Sequence, residues 1–125
     1  MHKNYDKNNI FFKIINNELP CDKVLETEHC LAFKDIYPRA KIHILLIPKK
    51  PYINLNDFIF SGTQDEKIDI FDSIEKIIDL NNLKKSGYRL LTNVGDDGHQ
   101  EVQHLHFHIL GGQPLGSFIK RLELD

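Results

Sequence analysis

The feature that most constrains the fold is a run of alternating polar and apolar residues at positions 103–112, QHLHFHILGG. A period of two is typical of a β-strand with one buried face, and the two glycines mark its end. The apolar members, which share the side predicted to face the core, are Leu105, Phe107 and Ile109. The opposite side carries His104, His106 and His108. The sequence therefore predicts a row of three imidazoles on an exposed or cleft-facing surface.

Three readings of this row differ in the chemistry that they imply. Incidental surface placement would explain a single histidine better than three histidines on one face. A zinc site is limited by geometry, because the first and third Cα atoms of the row lie roughly 13 Å apart in a strand, whereas zinc holds imidazole nitrogens at about 2 Å. The only cysteines, Cys21 and Cys30, have neither redox-pair nor zinc-pair spacing. We therefore expect no metal and no cofactor, and a row of imidazoles suits an extended anion best.

The composition favours one ordinary globular domain. The chain has 125 residues, of which 41% are hydrophobic and 27% charged. A net charge of −2 predicts neither nucleic acid nor an anionic membrane as partner. The polar residues 1–8 are predicted to form a flexible leader and residues 9–125 a single domain. No run is apolar enough to span a bilayer, and the start lacks a secretory pattern, so a cytoplasmic location with reduced thiols is expected.

The remaining elements follow from periodicity. Apolar residues at three- and four-residue spacing predict a short helix from Asn9 to near Asn17. Thr63 and Glu66 have the spacing of a capping box, which begins a long helix ending near Asn82. Its predicted apolar stripe is Ile70, Phe71, Ile74, Ile77 and Ile78. Strands are predicted at 24–28, 30–34, 42–47 and 88–93, in addition to the histidine strand, and 52–62 is read as a connection. The fold class is therefore α+β, an antiparallel sheet of about five strands with one long and one short helix.

The run from His104 to Leu110 resembles the histidine-triad signature, in which three histidines alternate with hydrophobic residues. The flanking segments strengthen the resemblance: IFFKII at 10–15, LAFKDI at 31–36, HILLIP at 43–48, YRLLTN at 88–93 and GHQ at 98–100. Together they resemble the Hint branch of the histidine-triad (HIT) superfamily, the histidine triad nucleotide-binding proteins, over roughly residues 10–118. The resemblance implies a HIT-like fold, two subunits that pair as a homodimer, and a purine nucleotide as substrate.

The resemblance also implies roles for individual residues. His106 matches the family's nucleophile, and His104 orients the row. The candidates to meet charge on the phosphoryl oxygens are His108, His43, Asn93 and nearby backbone N–H groups. Asp35 matches the carboxylate that holds the ribose hydroxyls. The implied substrate contacts are completed by Phe33, Ile36, Ile10 and Phe11 around the base, and by Gln100 in the loop before the triad.

The implied reaction is hydrolysis of the P–N bond of a nucleoside 5′-phosphoramidate through a nucleotidyl-histidine. Asn93 matches this branch, whereas the dinucleoside polyphosphate hydrolases of the superfamily carry glutamine at that position. Glu101 departs from the hydroxyl residue of animal members and resembles the bacterial pattern, where a carboxylate could protonate the departing amine. Two alternatives remain open: a dinucleoside polyphosphate hydrolase, and a nucleotide-binding or scaffolding protein with weak catalysis.

Overall fold

The computed structural model describes residues 4–123, which form one five-stranded antiparallel sheet with helices on both faces. The elements in chain order are α1 (Ile10–Ile15), β1 (Lys23–Glu26), β2 (Cys30–Lys34), β3 (Ile42–Pro48), α2 (Leu55–Ser61), α3 (Gln64–Leu80), α4 (Leu83–Ser86), β4 (Tyr88–Leu91) and β5 (Phe107–Gly111). The strand order is β1-β2-β3-β5-β4, and every neighbouring pair is antiparallel. The predicted α+β class and strand number are confirmed.

The structure contains two short helices, α2 and α4, beyond the one long and one short helix that the sequence predicted. Helix α2 lies within the segment read as a connection, and Phe58 is its only buried residue among those described. A helix with a single buried side chain has no apolar periodicity to detect. Helix α4 has only four residues and follows Asn82, whose φ is +56°.

Both faces of the sheet are covered by apolar side chains. One face packs against α3, where the fully buried residues include Ile44, Leu46, Ile77, Leu105 and Ile109. The other face packs against α1 through Phe11, Ile14, Leu31, Phe33, Leu45 and Ile47. Burial on both sides explains why β3 is apolar almost without interruption. His43 lies on the α1 face of this strand, as judged by its alternation with Ile44 and Leu45.

Helix α3 begins as predicted. The Thr63 hydroxyl accepts the Glu66 N–H at 3.1 Å, and the Glu66 carboxylate accepts the Thr63 N–H at 2.9 Å. The predicted stripe is wrong at Phe71, which is 71% exposed. Phe71 follows the buried Ile70 by one position, about 100° around the helix, and so leaves the face that the sheet covers.

The histidine strand is shorter than the alternation predicted. Strand β5 begins at Phe107, so only His108 of the three histidines lies in the ladder. The preceding backbone bonds to other segments: Leu105 N–H donates to Tyr52 O at 2.8 Å, and the Thr92 hydroxyl donates to His106 O at 2.7 Å. Its neighbour β4 also ends early, at Leu91, which lies opposite His108.

Tyr5 is packed within the segment that the sequence predicted to be a loose leader, whereas Asn4 and residues 6–8 are exposed. Tyr5 is 9% exposed, and its hydroxyl lies 2.5 Å from His104 Nδ1. The prediction of a flexible segment therefore does not hold for Tyr5. Its aromatic ring is buried, and its hydroxyl binds the buried His104 ring. Residues 1–3 of the predicted leader lie outside the described residues. Within the described part of the chain, no helix is both long and apolar enough to cross a membrane.

Candidate active site

His43 and His108 are brought together by the register of β3 and β5. Leu45 lies opposite His108, so His43 is a diagonal neighbour on the same face, and His43 Nε2 is 2.9 Å from His108 Nδ1. The Arg39 N–H donates to His43 Nδ1 at 3.1 Å, which leaves the hydrogen of the neutral ring on Nε2. His43 therefore donates to His108 Nδ1. By the same logic His108 carries its hydrogen on Nε2, where it is free to donate to a ligand.

His106 presents the opposite kind of atom. Its Nδ1 lies 2.7 Å from the carbonyl oxygen of His104, which can only accept, so Nδ1 carries the hydrogen and Nε2 keeps a lone pair. The ring meets Phe11 edge-on at a centroid distance of 4.8 Å and lies 5.1 Å from the His108 ring. A lone pair beside a donor is the arrangement that nucleophilic attack on a phosphoryl group requires.

His104 does not line a cleft, contrary to the sequence prediction. It is 0% exposed, and its Nε2 lies 2.9 Å from the Pro48 carbonyl oxygen. The bend before β5 turns this ring under the N-terminal segment, where Tyr5 covers it. Its side chain therefore supports the site from behind.

Burial keeps the four histidines neutral near pH 7. It is the largest cause of the lowered pKa of His104 and of His108, each about 4, and neighbouring imidazoles contribute to both. Burial also lowers the pKa of His43 and of His106, against the raising influence of the Asp35 carboxylate. The site therefore offers directed lone pairs and N–H groups in place of cationic imidazoles.

Asp35 completes a cluster that could be mistaken for a metal site. Its Oδ1 accepts the Tyr37 N–H at 2.8 Å, and its Oδ2 lies 3.4 Å from His43 Nε2. Ligand atoms of Asp35, His43 and His108 all lie within 4.8 Å of one another. A ligating histidine normally donates its second ring N–H to an acceptor, whereas His43 Nδ1 faces an N–H donor. The tautomer that this donor imposes keeps a hydrogen on Nε2 and opposes metal binding.

These groups open into a pocket of about 490 Å³, a size that suits a nucleotide-sized ligand. All but two of the predicted site residues line it: Ile10, Phe11, Phe33, Asp35, Ile36, His43, Asn93, Glu101, His106 and His108. A second cavity, about 580 Å³ in volume, lies near the end of α1 and contains none of the histidines, although it shares Ile14, Leu19, Pro20 and Cys21 with the first lining. The chemistry therefore belongs to the first pocket.

The two predicted residues outside the lining are His104 and Gln100. Gln100 is 9% exposed, its Nε2 donates to Ile53 O at 2.7 Å and Val102 O at 3.0 Å, and its Oε1 accepts the Gly95 N–H at 3.2 Å. These bonds use the amide to hold the loop before the triad, so substrate contact is not its role in this structure.

Among the pocket residues that the sequence did not predict, Arg39 and His99 bear most directly on the chemistry. Arg39 lines the pocket, and a guanidinium is a common partner of phosphate. The position of Arg39 in the sequence, between the predicted site residues Asp35 and His43, could have indicated that it lies at the site, but residues 38–41 were predicted only as a loop. His99 also lines the pocket with a φ of +59°, and its Nε2 lies 3.0 Å from Glu101 Oε1.

Comparison with known proteins matches this arrangement to one family. The family described as HIT domain matches residues 16–115, which include the pocket strands and all three triad histidines. This chain belongs to the HIT family. An uncharacterized HIT-like protein of Azospirillum brasilense is 46% identical over 121 residues, covering 97% of this chain and 99% of that protein.

Two further relatives of this HIT protein carry more specific descriptions. The purine nucleoside phosphoramidase of Escherichia coli K12 is 39% identical over 111 residues, covering 88% of this chain and 92% of the enzyme. The solved structure of a HIT family hydrolase from Clostridium thermocellum is 39% identical with a TM-score of 0.83, and covers 92% of this chain and 99% of that one. The resemblance seen in the sequence is confirmed at the level of family and fold.

Proposed function

We propose that this HIT protein hydrolyses the P–N bond of purine nucleoside 5′-phosphoramidates, releasing a nucleoside monophosphate and an amine. The observation that carries the proposal is the His106 imidazole, whose Nε2 lone pair is left free in the pocket while Nδ1–H is held by the His104 carbonyl at 2.7 Å. Similarity to the Escherichia coli phosphoramidase supports the choice of substrate class.

The reaction takes place as two displacements. His106 Nε2 attacks the α-phosphorus, an N–P bond to histidine forms, and the P–N bond to the amine breaks as the amine takes up a proton. Water then attacks the same phosphorus and gives up a proton, which replaces the one taken by the amine; the bond to histidine breaks, and His106 returns to its neutral tautomer. The imidazole becomes cationic in the intermediate, and the His104 carbonyl stabilises that charge through Nδ1–H.

Hydrogen-bond donors around the triad stabilise the negative charge of the phosphoryl oxygens. His108 Nε2–H is directed by the chain of bonds from the Arg39 N–H through His43. The Arg39 guanidinium and the Asn93 amide also line the pocket. The Glu101–His99 pair, whose side-chain atoms lie 3.0 Å apart, shares a proton that it passes to the departing amine and regains from the attacking water in the second step.

The other end of the pocket holds the nucleoside. Asp35 accepts the ribose hydroxyls, because a carboxylate has acceptor sites beyond the one that the Tyr37 N–H occupies. The apolar wall for the base consists of Ile10, Phe11, Phe33 and Ile36, all of which line the pocket. We propose that the enzyme acts as a cytoplasmic homodimer without a cofactor.

The test is turnover of adenosine 5′-phosphoramidate by the His106→Ala variant. We expect the wild type to release adenosine monophosphate and the variant to lose several orders of magnitude in kcat, because the attacking nitrogen is gone. Binding of the monophosphate should be mostly retained. Rapid-quench mass spectrometry of the wild type should show one nucleotidyl group on His106.

His29→Ala is the matched control, since its ring does not line the pocket and should not affect turnover. Near-normal turnover by His106→Ala, or an adduct on another histidine, would contradict the assignment. Faster cleavage of diadenosine polyphosphates than of the phosphoramidate would favour a dinucleoside polyphosphate hydrolase. Tight nucleotide binding with no turnover of either compound would favour the binding protein.

A further inference from the structure

Tyr5 makes a buried contact with a triad histidine from outside the triad and outside the pocket. Its ring meets the His104 ring edge-on at a centroid distance of 5.6 Å and the Phe12 ring at 5.4 Å. Its hydroxyl lies 2.5 Å from His104 Nδ1. A buried tyrosine hydroxyl that reaches a buried imidazole fixes the orientation of both groups.

The direction of this bond follows from the other side of the ring. The Pro48 carbonyl, 2.9 Å from His104 Nε2, accepts and cannot donate, so Nε2 carries the hydrogen of the neutral imidazole. His104 Nδ1 is therefore an acceptor, and the Tyr5 hydroxyl donates to it. Burial raises the pKa of Tyr5, which keeps the hydroxyl protonated and able to donate.

The His104 backbone lies outside the sheet and is positioned by separate hydrogen bonds instead of a strand ladder. Strand β5 begins at Phe107, three residues later, and the N–H of Leu105 bonds to Tyr52 O in a separate segment. The carbonyl of His104 nevertheless has to stay 2.7 Å from His106 Nδ1 if the nucleophile is to keep its lone pair on Nε2. That carbonyl shares a peptide plane with the Leu105 N–H, so the bond to Tyr52 O anchors it on one side, and the two bonds of the His104 side chain anchor it on the Cα side.

We propose that Tyr5 is a positioning residue for the nucleophile: its hydroxyl fixes the His104 ring, and through it the carbonyl that holds His106 Nδ1–H. The effect on turnover rests on the proposed function, whereas the effect on the two rings does not. Tyr5 reaches neither substrate nor reacting atoms, because it does not line the pocket.

The hydroxyl is aimed by a turn that is tied to the first helix. Asn9 donates to the Asp6 carbonyl through its N–H at 3.2 Å and through Nδ2 at 2.7 Å. The Asn9 Oδ1 atom in turn accepts the Phe12 N–H at 2.9 Å as the N-cap of α1. The segment predicted to be a leader thus connects α1 to the back of the triad.

The experiment compares Tyr5→Phe with Phe12→Leu in the full chain. Tyr5→Phe keeps the ring and removes only the donor, and Phe12→Leu disturbs the packing of that ring while keeping the hydroxyl. We expect Tyr5→Phe to lower kcat for adenosine 5′-phosphoramidate by about tenfold with KM changed by less than about twofold, because the nucleophile is misaligned while the binding wall is intact. Phe12→Leu should change kcat by less than about twofold.

Imidazole tautomers, measured by long-range ¹H–¹⁵N NMR, decide the claim without turnover. The wild type should show His104 protonated at Nε2 and His106 at Nδ1, and Tyr5→Phe should give a mixed His106 signal. Unchanged His106 tautomers in Tyr5→Phe, or wild-type His104 protonated at Nδ1, would overturn the proposal. Absence of phosphoramidase activity in the wild type would reject the proposed function while leaving this spectral result to decide the role of Tyr5.

Discussion

Four neutral imidazoles in one site differ in chemistry because each ring nitrogen faces a different partner. Between them, the Arg39 N–H and the His104 carbonyl determine that His108 offers a donor and His106 a lone pair to the pocket. Residue type and spacing alone make the triad histidines equivalent. Their distinct roles depend on backbone groups that the sequence does not reveal.

Burial of these rings predicts loss of stability in mild acid. The pKa of His104 falls from 6.5 to about 4 on folding, so between these values the unfolded chain binds a proton that the folded chain does not. The stability is complete above pH 6.5 and decreases as the pH falls toward 4. A shift of this size corresponds to about 3 kcal/mol for His104. Urea unfolding at pH 7.5 and pH 5.0 should show a lower free energy of unfolding at pH 5.0.

The matched variant for this prediction is His104→Gln, whose amide can bond both Tyr5 and Pro48 but does not titrate in this range. Its free energy of unfolding should depend less on pH than that of the wild type. Equal pH dependence in the two proteins would show that His104 is not the group responsible.

Helices α1 and α3 both begin with side-chain caps but pack on opposite faces of the sheet, so the effect of a cap on stability can be separated from its effect on ligand binding. Asn9 caps α1, which carries Phe11 into the pocket, and Thr63 caps α3 on the other face. Asn9→Ala and Thr63→Ala should each destabilise the protein by about 1 kcal/mol. Only Asn9→Ala should also weaken binding of adenosine monophosphate, as measured by calorimetry, because α1 forms part of the pocket. Equal weakening by both variants would contradict this division.

Elements that bury a regular stripe were predictable from sequence, and those defined by irregular contacts were not. The capping box at Thr63 and the apolar strand β3 have local signals, and both occur where predicted. The alternation at 103–112 predicted the correct core side, because Leu105 and Ile109 are buried beside α3. It failed at His104, whose burial depends on Tyr5, a residue 99 positions away in the chain.

The homodimer implied by the family resemblance stays a prediction, and the sheet indicates where it would form. Among the described residues, β4 has a neighbouring strand on one side only. Tyr88 and Leu90 on this edge strand are 43% and 39% exposed, and Leu90 lies opposite Ile109, so both side chains are on the α3 side of the sheet. A free edge with apolar side chains is suited to pairing with a second copy of the chain.

Pairing through β4 makes a specific prediction for Leu90→Lys. A charge on each of two facing edge strands would repel its counterpart and expose the remaining apolar surface, so the dimer should dissociate. Sedimentation equilibrium should give twice the chain mass of 14.6 kDa for the wild type and the single mass for the variant. Phe60→Lys, at a 92% exposed position on α2, adds the same charge away from the edge and should remain dimeric. A dimeric Leu90→Lys variant would place the contact elsewhere, and a monomeric wild type would exclude the homodimer itself.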